Sequence, residues 1–165
     1  MTELPAGYAA ERSVTHATFV LERTYAASPA RVFAAFAEKE AKARWFAAPD
    51  EWGTSVWEMD FRVGGREINR GGPKDGPTYS FEASYQDIVA NERIVYTYEM
   101  RLDENRISVS LATVVLEAAG DGTHLILTEQ GVFLDGYDDA EQREEGTQGL
   151  LDALGSSLAS EPAAR

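Results

Sequence analysis

Six stretches between residues 54 and 133 carry their side chains in period two, with turn signals between them. They are 54–62, 66–71, 78–89, 93–103, 106–118 and 122–133. The dividers are Gly64-Gly65, the segment GGPKDGP, Asn91-Glu92, Asp103-Glu104-Asn105 and GDG. Short turns of this kind join antiparallel neighbours, so this part of the chain is committed to a meander with one covered face. HATFVLERTY, residues 16–25, adds a further strand in which Phe19, Leu21 and Arg23 alternate with Val20 and Glu22. No internal repeat is visible. A sheet of about seven strands with one apolar face needs a cover, and the sequence after the last strand supplies one.

That cover is DDAEQREEGTQGLLDALGSSLA, residues 138–159. Leu150, Leu151, Leu154 and Leu158 recur at three- and four-residue spacings and form one stripe of a helix. Gly146 and Gly149 lie near the same side, although glycine costs about 1 kcal/mol of helix propensity against alanine. Two readings follow: a hollow beneath the glycine-bearing turn, or close helix-to-sheet contact there. Between the first strand and the meander, Ser28 precedes Pro29 as an N-cap, with Val32, Phe33 and Phe36 as the apolar stripe of a short helix. EKEAKARWF, residues 38–46, is a second helical piece ending in Trp45 and Phe46 and stopped by Pro49. The expected class is α+β: a curved antiparallel sheet wrapped around a long C-terminal helix, with two short helices after the first strand. Residues 1–14 read as a flexible arm, 15–160 as a single domain and 161–165 as a tail.

At 165 residues with 44% hydrophobic content, one core needs no staples. The chain has no cysteine, and its only histidines are His16 and His124, without companions for a metal site or a nucleophilic triad. No cofactor and no metal are expected. Twenty-eight acidic against 15 basic residues give a formal charge of −13, which repels phosphate backbones and anionic lipid. Neither nucleic acid nor membrane is an expected partner, and with no signal segment or apolar span in view the expected location is cytoplasmic. Asp135, Asp138, Asp139, Glu141, Glu144 and Glu145 gather where carboxylates favour the start of the final helix.

Alternation also sorts the inward residues. One face of the strand from Arg93 carries Ile94, Tyr96, Tyr98 and Met100; the matching sets are Tyr79, Phe81, Ala83 and Tyr85, then Leu125, Leu127, Glu129 and Phe133, and Trp57, Met59 and Phe61. Four tyrosines on an apolar face are informative, because each buried hydroxyl needs a partner in protein, water or ligand. The other reading is that these hydroxyls reach the rim. Glu129 is the sharpest residue. Strict alternation places its carboxylate on the covered face, with no lysine or arginine of that face as an obvious partner, and burial would raise its pKa. It is then a candidate acid, base or ligand anchor, whereas a bulge near Gly131 would turn it to solvent. DFRVGGREINRG lacks the helix that a nucleotide loop requires and reads as a hairpin.

The segments SPARVFAAFAEKEAKARWFAAP, VWEMDFRVGGRE, YSFEASYQDIVANERIVYTYEM, GTHLILTEQGVF and GTQGLLDALGSSLA, in that order, resemble the START/SRPBCC superfamily. The similar branch is that of the C-terminal domain of activators of the heat-shock-protein-90 ATPase, over about residues 15–160. The resemblance implies a helix-grip fold with a cavity between sheet and helix. Where relatives often carry Gly-Trp at the start of the final helix this chain has Gly146-Thr147, and where many carry histidine it has Glu129. Similar folds bind lipids or hormones, cyclise polyketides, or stimulate a chaperone ATPase in stress response, so fold alone does not select a function. The first expectation is binding of a small hydrophobic or amphipathic molecule by Trp57, Met59, Tyr79, Phe81, Tyr96, Tyr98, Leu127, Glu129, Gly146, Gly149 and Leu150. The alternatives are a cyclase, dehydratase or hydrolase using Glu129 on a small aromatic or polyketide-like substrate, and a chaperone-linked interaction domain. A homodimer and a chaperone are the remaining partner readings.

Overall fold

The structure, a computed structural model, describes residues 11–46 and 52–160. Most of the expected N-terminal arm, the expected tail and Pro49 lie outside these residues. The order is β1 (Val14–Tyr25), α1 (Pro29–Ala37), α2 (Lys39–Lys42), β2 (Trp52–Met59), β3 (Arg66–Pro73), β4 (Tyr79–Val89), β5 (Arg93–Leu102), β6 (Asn105–Ala119), β7 (Gly122–Leu134) and α3 (Ala140–Ser160). Among the described residues the strands form one seven-stranded antiparallel sheet, ordered β1-β7-β6-β5-β4-β3-β2. Each meander strand thus pairs with its sequence neighbour, and β1 closes on β7. The α+β helix-grip architecture is the one the sequence implied.

The long terminal helix is held by packing and by polar clamps. Leu151, Leu154 and Leu158 are buried with Phe19, Leu21, Val32, Phe36, Val114, Leu125 and Leu127 in the main core. The Tyr25 hydroxyl donates to the Leu151 carbonyl at 2.7 Å, and Arg31 donates to the Leu158 carbonyl at 3.0 Å near the helix C-terminus. Gly155 is the helix glycine with a packing reason: an added Cβ would sit 3.1 Å from the Tyr25 ring. At the other end, the Asp139 carboxylate accepts from the Gln142 amide at 2.8 Å, satisfying one of the first turn's free donors.

Helix α1 starts as its sequence indicates, with Ser28 accepting from the Arg31 amide at 3.3 Å and Pro29 in the first turn. The second helical piece is shorter than residues 38–46. After Lys42 the chain tightens into turns, and the Trp45 indole donates to the Ala35 carbonyl at 2.9 Å, tying Trp45 back onto α1. In β7 the pairing with β1 and β6 runs without a register shift, so the bulge near Gly131 does not occur and Glu129 stays on the covered face at 2% exposure.

Truncating the helix stripe should be costly. Leu154 is fully buried, so Leu154→Ala is expected to destabilise by about 3 kcal/mol. Tyr25→Phe, which removes only the hydroxyl clamp, is expected to cost about 1 kcal/mol. Denaturant melts of the two variants against the parent chain check both values.

Candidate functional site

Between the concave face of the sheet and α3 lies a cavity of about 400 Å³. Phe81, Tyr96, Tyr98, Met100 and Leu127 line it from the strands, Gln142, Arg143, Gly146, Thr147, Leu150 and Leu151 from α3, and Lys42, Trp45 and Phe46 from the segment after α1. Seven of the eleven expected ligand-binding residues meet here: Phe81, Tyr96, Tyr98, Leu127, Glu129, Gly146 and Leu150.

Four do not line it. Gly149 is exposed and does not line the cavity: at about 100° per residue it stands about 60° around α3 from Gly146, on the side away from Thr147 and Leu151. An added Cβ at Gly146 or Gly149 meets nothing within 4 Å, so close contact with the sheet is not their reason. Trp57 belongs to β2 at the sheet edge, where its indole donates to Glu67 at 3.2 Å and its ring faces Phe46. It backs the cavity wall. Met59, also on β2, is half-buried, and Tyr79 stacks on Trp52 with ring centroids 5.0 Å apart.

Glu129 sits in a polar cluster. Its Oε1 accepts from the Tyr98 hydroxyl at 2.6 Å and its Oε2 from Ser110 at 3.3 Å. The expectation that it lacks a cationic partner is corrected by Arg143 of α3, whose guanidinium stands 3.6 Å from Oε2. Arg143 also donates to the Tyr98 hydroxyl at 3.0 Å, to Ser108 at 2.7 Å and to Asp138 at 2.8 Å. The partner came from another element, so strand parity could not reveal it. The signal available was the α3 stripe, which continues from Leu150 back through Thr147 to Arg143 at helical spacing. Burial raises the Glu129 pKa and outweighs the opposing pull of the Tyr98 hydrogen bond and Arg143. For Arg143, burial acts to lower the pKa, but Tyr98, Glu129 and Asp138 outweigh it and hold the guanidinium charged.

A second buried cluster escaped the sequence reading. Glu67 of β3 is fully buried; its Oε1 accepts from Lys42 at 2.6 Å and from the Tyr85 hydroxyl at 2.5 Å, its Oε2 from Trp57. Glu67 pairs across the sheet with Met59 and Ala83, both of the inward set, which was the signal for its direction. Lys42 precedes Phe46 by one helical turn, and its ammonium lies 4.5 Å from that ring's centroid. Burial lowers the Lys42 pKa, and the charge of Glu67 offsets only part of this. Burial also raises the Tyr85 and Tyr98 hydroxyl pKa values, so both remain proton donors. Tyr96 has no hydrogen-bond partner for its hydroxyl among the described residues. The tyrosine hydroxyls thus divide: two anchor buried carboxylates and one is left for the cavity. No group of residues able to hold a metal ion occurs among the described residues.

The Glu129 shift has a pH consequence. A folded pKa above the unfolded value makes the ionised form a liability, so this residue's contribution favours the fold at low pH and is lost as pH rises through the folded pKa. Glu129→Gln stays neutral and retains an acceptor for Tyr98. Its stability relative to the parent chain should therefore rise as pH climbs above the ordinary glutamate value of 4.5. Paired chemical melts from pH 4 to pH 8 measure this, and a flat or falling difference would contradict it.

Comparisons with known proteins agree with this architecture. The family model described as "Activator of Hsp90 ATPase homolog 1-like protein" matches residues 26–159. The fold is similar to that of an uncharacterized protein from Rhizobium leguminosarum at 49% identity, covering 92% of this chain and 99% of that one, with a TM-score of 0.86. It is also similar to the Mll3558 protein from Rhizobium loti at 49% identity, covering 88% and 99% of the two chains, with a TM-score of 0.83. An AHSA1-like protein from Aeromonas hydrophila shares the fold at 22% identity, 90% and 99% coverage and a TM-score of 0.68. None of the curated proteins matches the chain. With the model spanning most of the sequence, this chain belongs to the family of activator of Hsp90 ATPase homolog 1-like proteins within the SRPBCC superfamily.

Proposed function

We propose that the protein binds a small, partly apolar molecule in the cavity between the sheet and α3. The observation that carries this reading is the cavity itself: about 400 Å³ walled by Phe46, Phe81, Tyr96, Leu127 and Leu150, with a few polar groups turned toward it. Ligand sites generally combine this size, apolar lining and sparse polar anchoring. Thr147, buried on α3 and donating to the Arg143 carbonyl at 2.8 Å, supports the reading, since this small side chain of the cavity wall has its hydroxyl satisfied within its own helix.

A second reading is acid or base catalysis in the same cavity. It draws on Glu129, a carboxyl group of raised pKa hydrogen-bonded to a phenol and placed in the cavity wall. Such a group exchanges protons nearer neutral pH than an ordinary glutamate does. Under this reading Glu129→Gln would abolish turnover of a bound substrate, whereas in a carrier it would only shift affinity.

Native mass spectrometry of the purified chain should reveal a co-purifying small molecule, and an environment-sensitive apolar dye should be taken up when that molecule is absent. Gly146→Leu, placed at the cavity wall, is expected to weaken dye uptake roughly tenfold by overfilling the space. Gly149→Leu, on the outer side of the same helix, should leave uptake unchanged. Equal uptake by the parent chain and a well-folded Gly146→Leu variant would count against a ligand at this place.

A further inference from the structure

Two cations border the cavity, and the carboxylates around them distinguish them. Arg143 gives three of its five N–H groups to Tyr98, Ser108 and Asp138, and two carboxylates, Asp138 and Glu129 at 3.6 Å, offset its charge. The Lys42 ammonium has three donors, of which one reaches Glu67 at 2.6 Å. The remaining two meet no acceptor among the described residues. Nearby are the faces of Phe46 at 4.5 Å and Phe81 at 5.8 Å, which attract the charge but supply no lone pair. The Tyr96 hydroxyl, also in the cavity wall, is a further donor without an acceptor among the described residues. Among the described residues this part of the cavity therefore offers two unused ammonium donors and a phenol that can also donate.

Its charge is already balanced. Glu67 lies against Lys42 and is held in place by Tyr85 and Trp57, so an incoming carboxylate would share one ammonium with a buried carboxylate. Desolvating a second anion there is unfavourable, whereas a carbonyl oxygen can accept a hydrogen bond without bringing charge.

We propose that Lys42, assisted by Tyr96, is the polar anchor of the cavity and selects an uncharged ligand with a carbonyl-type acceptor, whose ring or hydrocarbon body lies along Phe81 and Leu127. This rests on the cavity being the ligand site. Lys42 and Tyr96 then orient the ligand, while the Arg143–Glu129 cluster borders another part of the same space.

Three matched probes test it by displacement of the apolar dye from the full chain: naphthalene, 2-acetylnaphthalene and 2-naphthoate at neutral pH. The ketone should bind about tenfold more tightly than naphthalene, the size expected of one hydrogen bond from a charged donor. Naphthoate should gain no such advantage. The paired variant Lys42→Met with Glu67→Gln, which leaves no orphaned charge, should lose the preference for the ketone over naphthalene. Tyr96→Phe should lose part of it. Should the paired variant fail to fold, the infrared carbonyl stretch of the bound, carbon-13-labelled ketone decides in the unaltered chain: a shift below its value in an apolar solvent supports the hydrogen bond, and an unshifted band overturns it. Equal affinity for ketone and naphthalene, or a preference that survives in the paired variant, overturns the inference while leaving the cavity reading intact. Tightest binding of naphthoate overturns the uncharged class. If no probe displaces a dye that does bind, the probes have no access to the dye's place and the anchor is rejected; if the dye itself does not bind, the cavity reading fails first.

Discussion

Strands stand about 4.8 Å apart, so the concave face of seven strands is on the order of 29 Å wide, whereas one helix is about 10 Å across. One terminal helix cannot cover such a face. In this protein α3 packs near β1 through Tyr25, Leu151 and Gly155, and α1 contributes Val32 and Phe36 to the same core. Towards β4 and β5 the described residues that cover the face are the tip of α2, Phe46 and the first turns of α3, and there the cavity remains. The hollow is thus a consequence of covering a wide curved sheet with a single long helix.

In this chain the borders are charged as well as aromatic. Lys42 with Glu67 and Arg143 with Glu129 are buried pairs, each joined by a tyrosine hydroxyl. Taking such ions out of water costs several kcal/mol each unless partners replace the lost hydration, so each group is tied to others rather than standing alone. The two clusters are not equivalent. Three close donors converge on Glu67, whereas Glu129 receives Tyr98 and a long bond from Ser110, with Arg143 beyond hydrogen-bond range. Burial raises the proton affinity of Glu129, and Lys42 is the cation that faces one carboxylate and two aromatic rings.

The strong net negative charge of the chain is managed separately. On the outer face of the sheet Glu99 accepts from both Arg101 and Arg106, and Arg70 from β3 meets Glu82 of β4. Half-exposed pairs such as these add little to stability individually. They set cations beside Glu82 and Glu99, which lie opposite one another on β4 and β5, while the carboxylates of the cavity wall answer to buried partners.

Local sequence determined much of this protein. Period-two alternation, short turns and the Leu150–Leu158 stripe specify which segments are strands, which faces are covered and that a helix must close the chain, because these depend on neighbours two to four residues apart. Strict alternation in β7 also sufficed to turn Glu129 inward. Seven of the cavity residues were readable for the same reason. What sequence spacing could not decide is which inward residues meet across the hollow. Trp57 and Tyr79 share the inward parity of Tyr96, yet the sheet order carries Trp57 to an edge and leaves Tyr79 stacked on Trp52. Arg143 reaches Glu129, and Lys42 reaches Glu67, from helices outside the two-to-four-residue range that periodicity reads. Those partnerships depend on how helices lie over a twisted sheet, and only the tertiary structure decides them, since parity states a side chain's direction and not what it will find there.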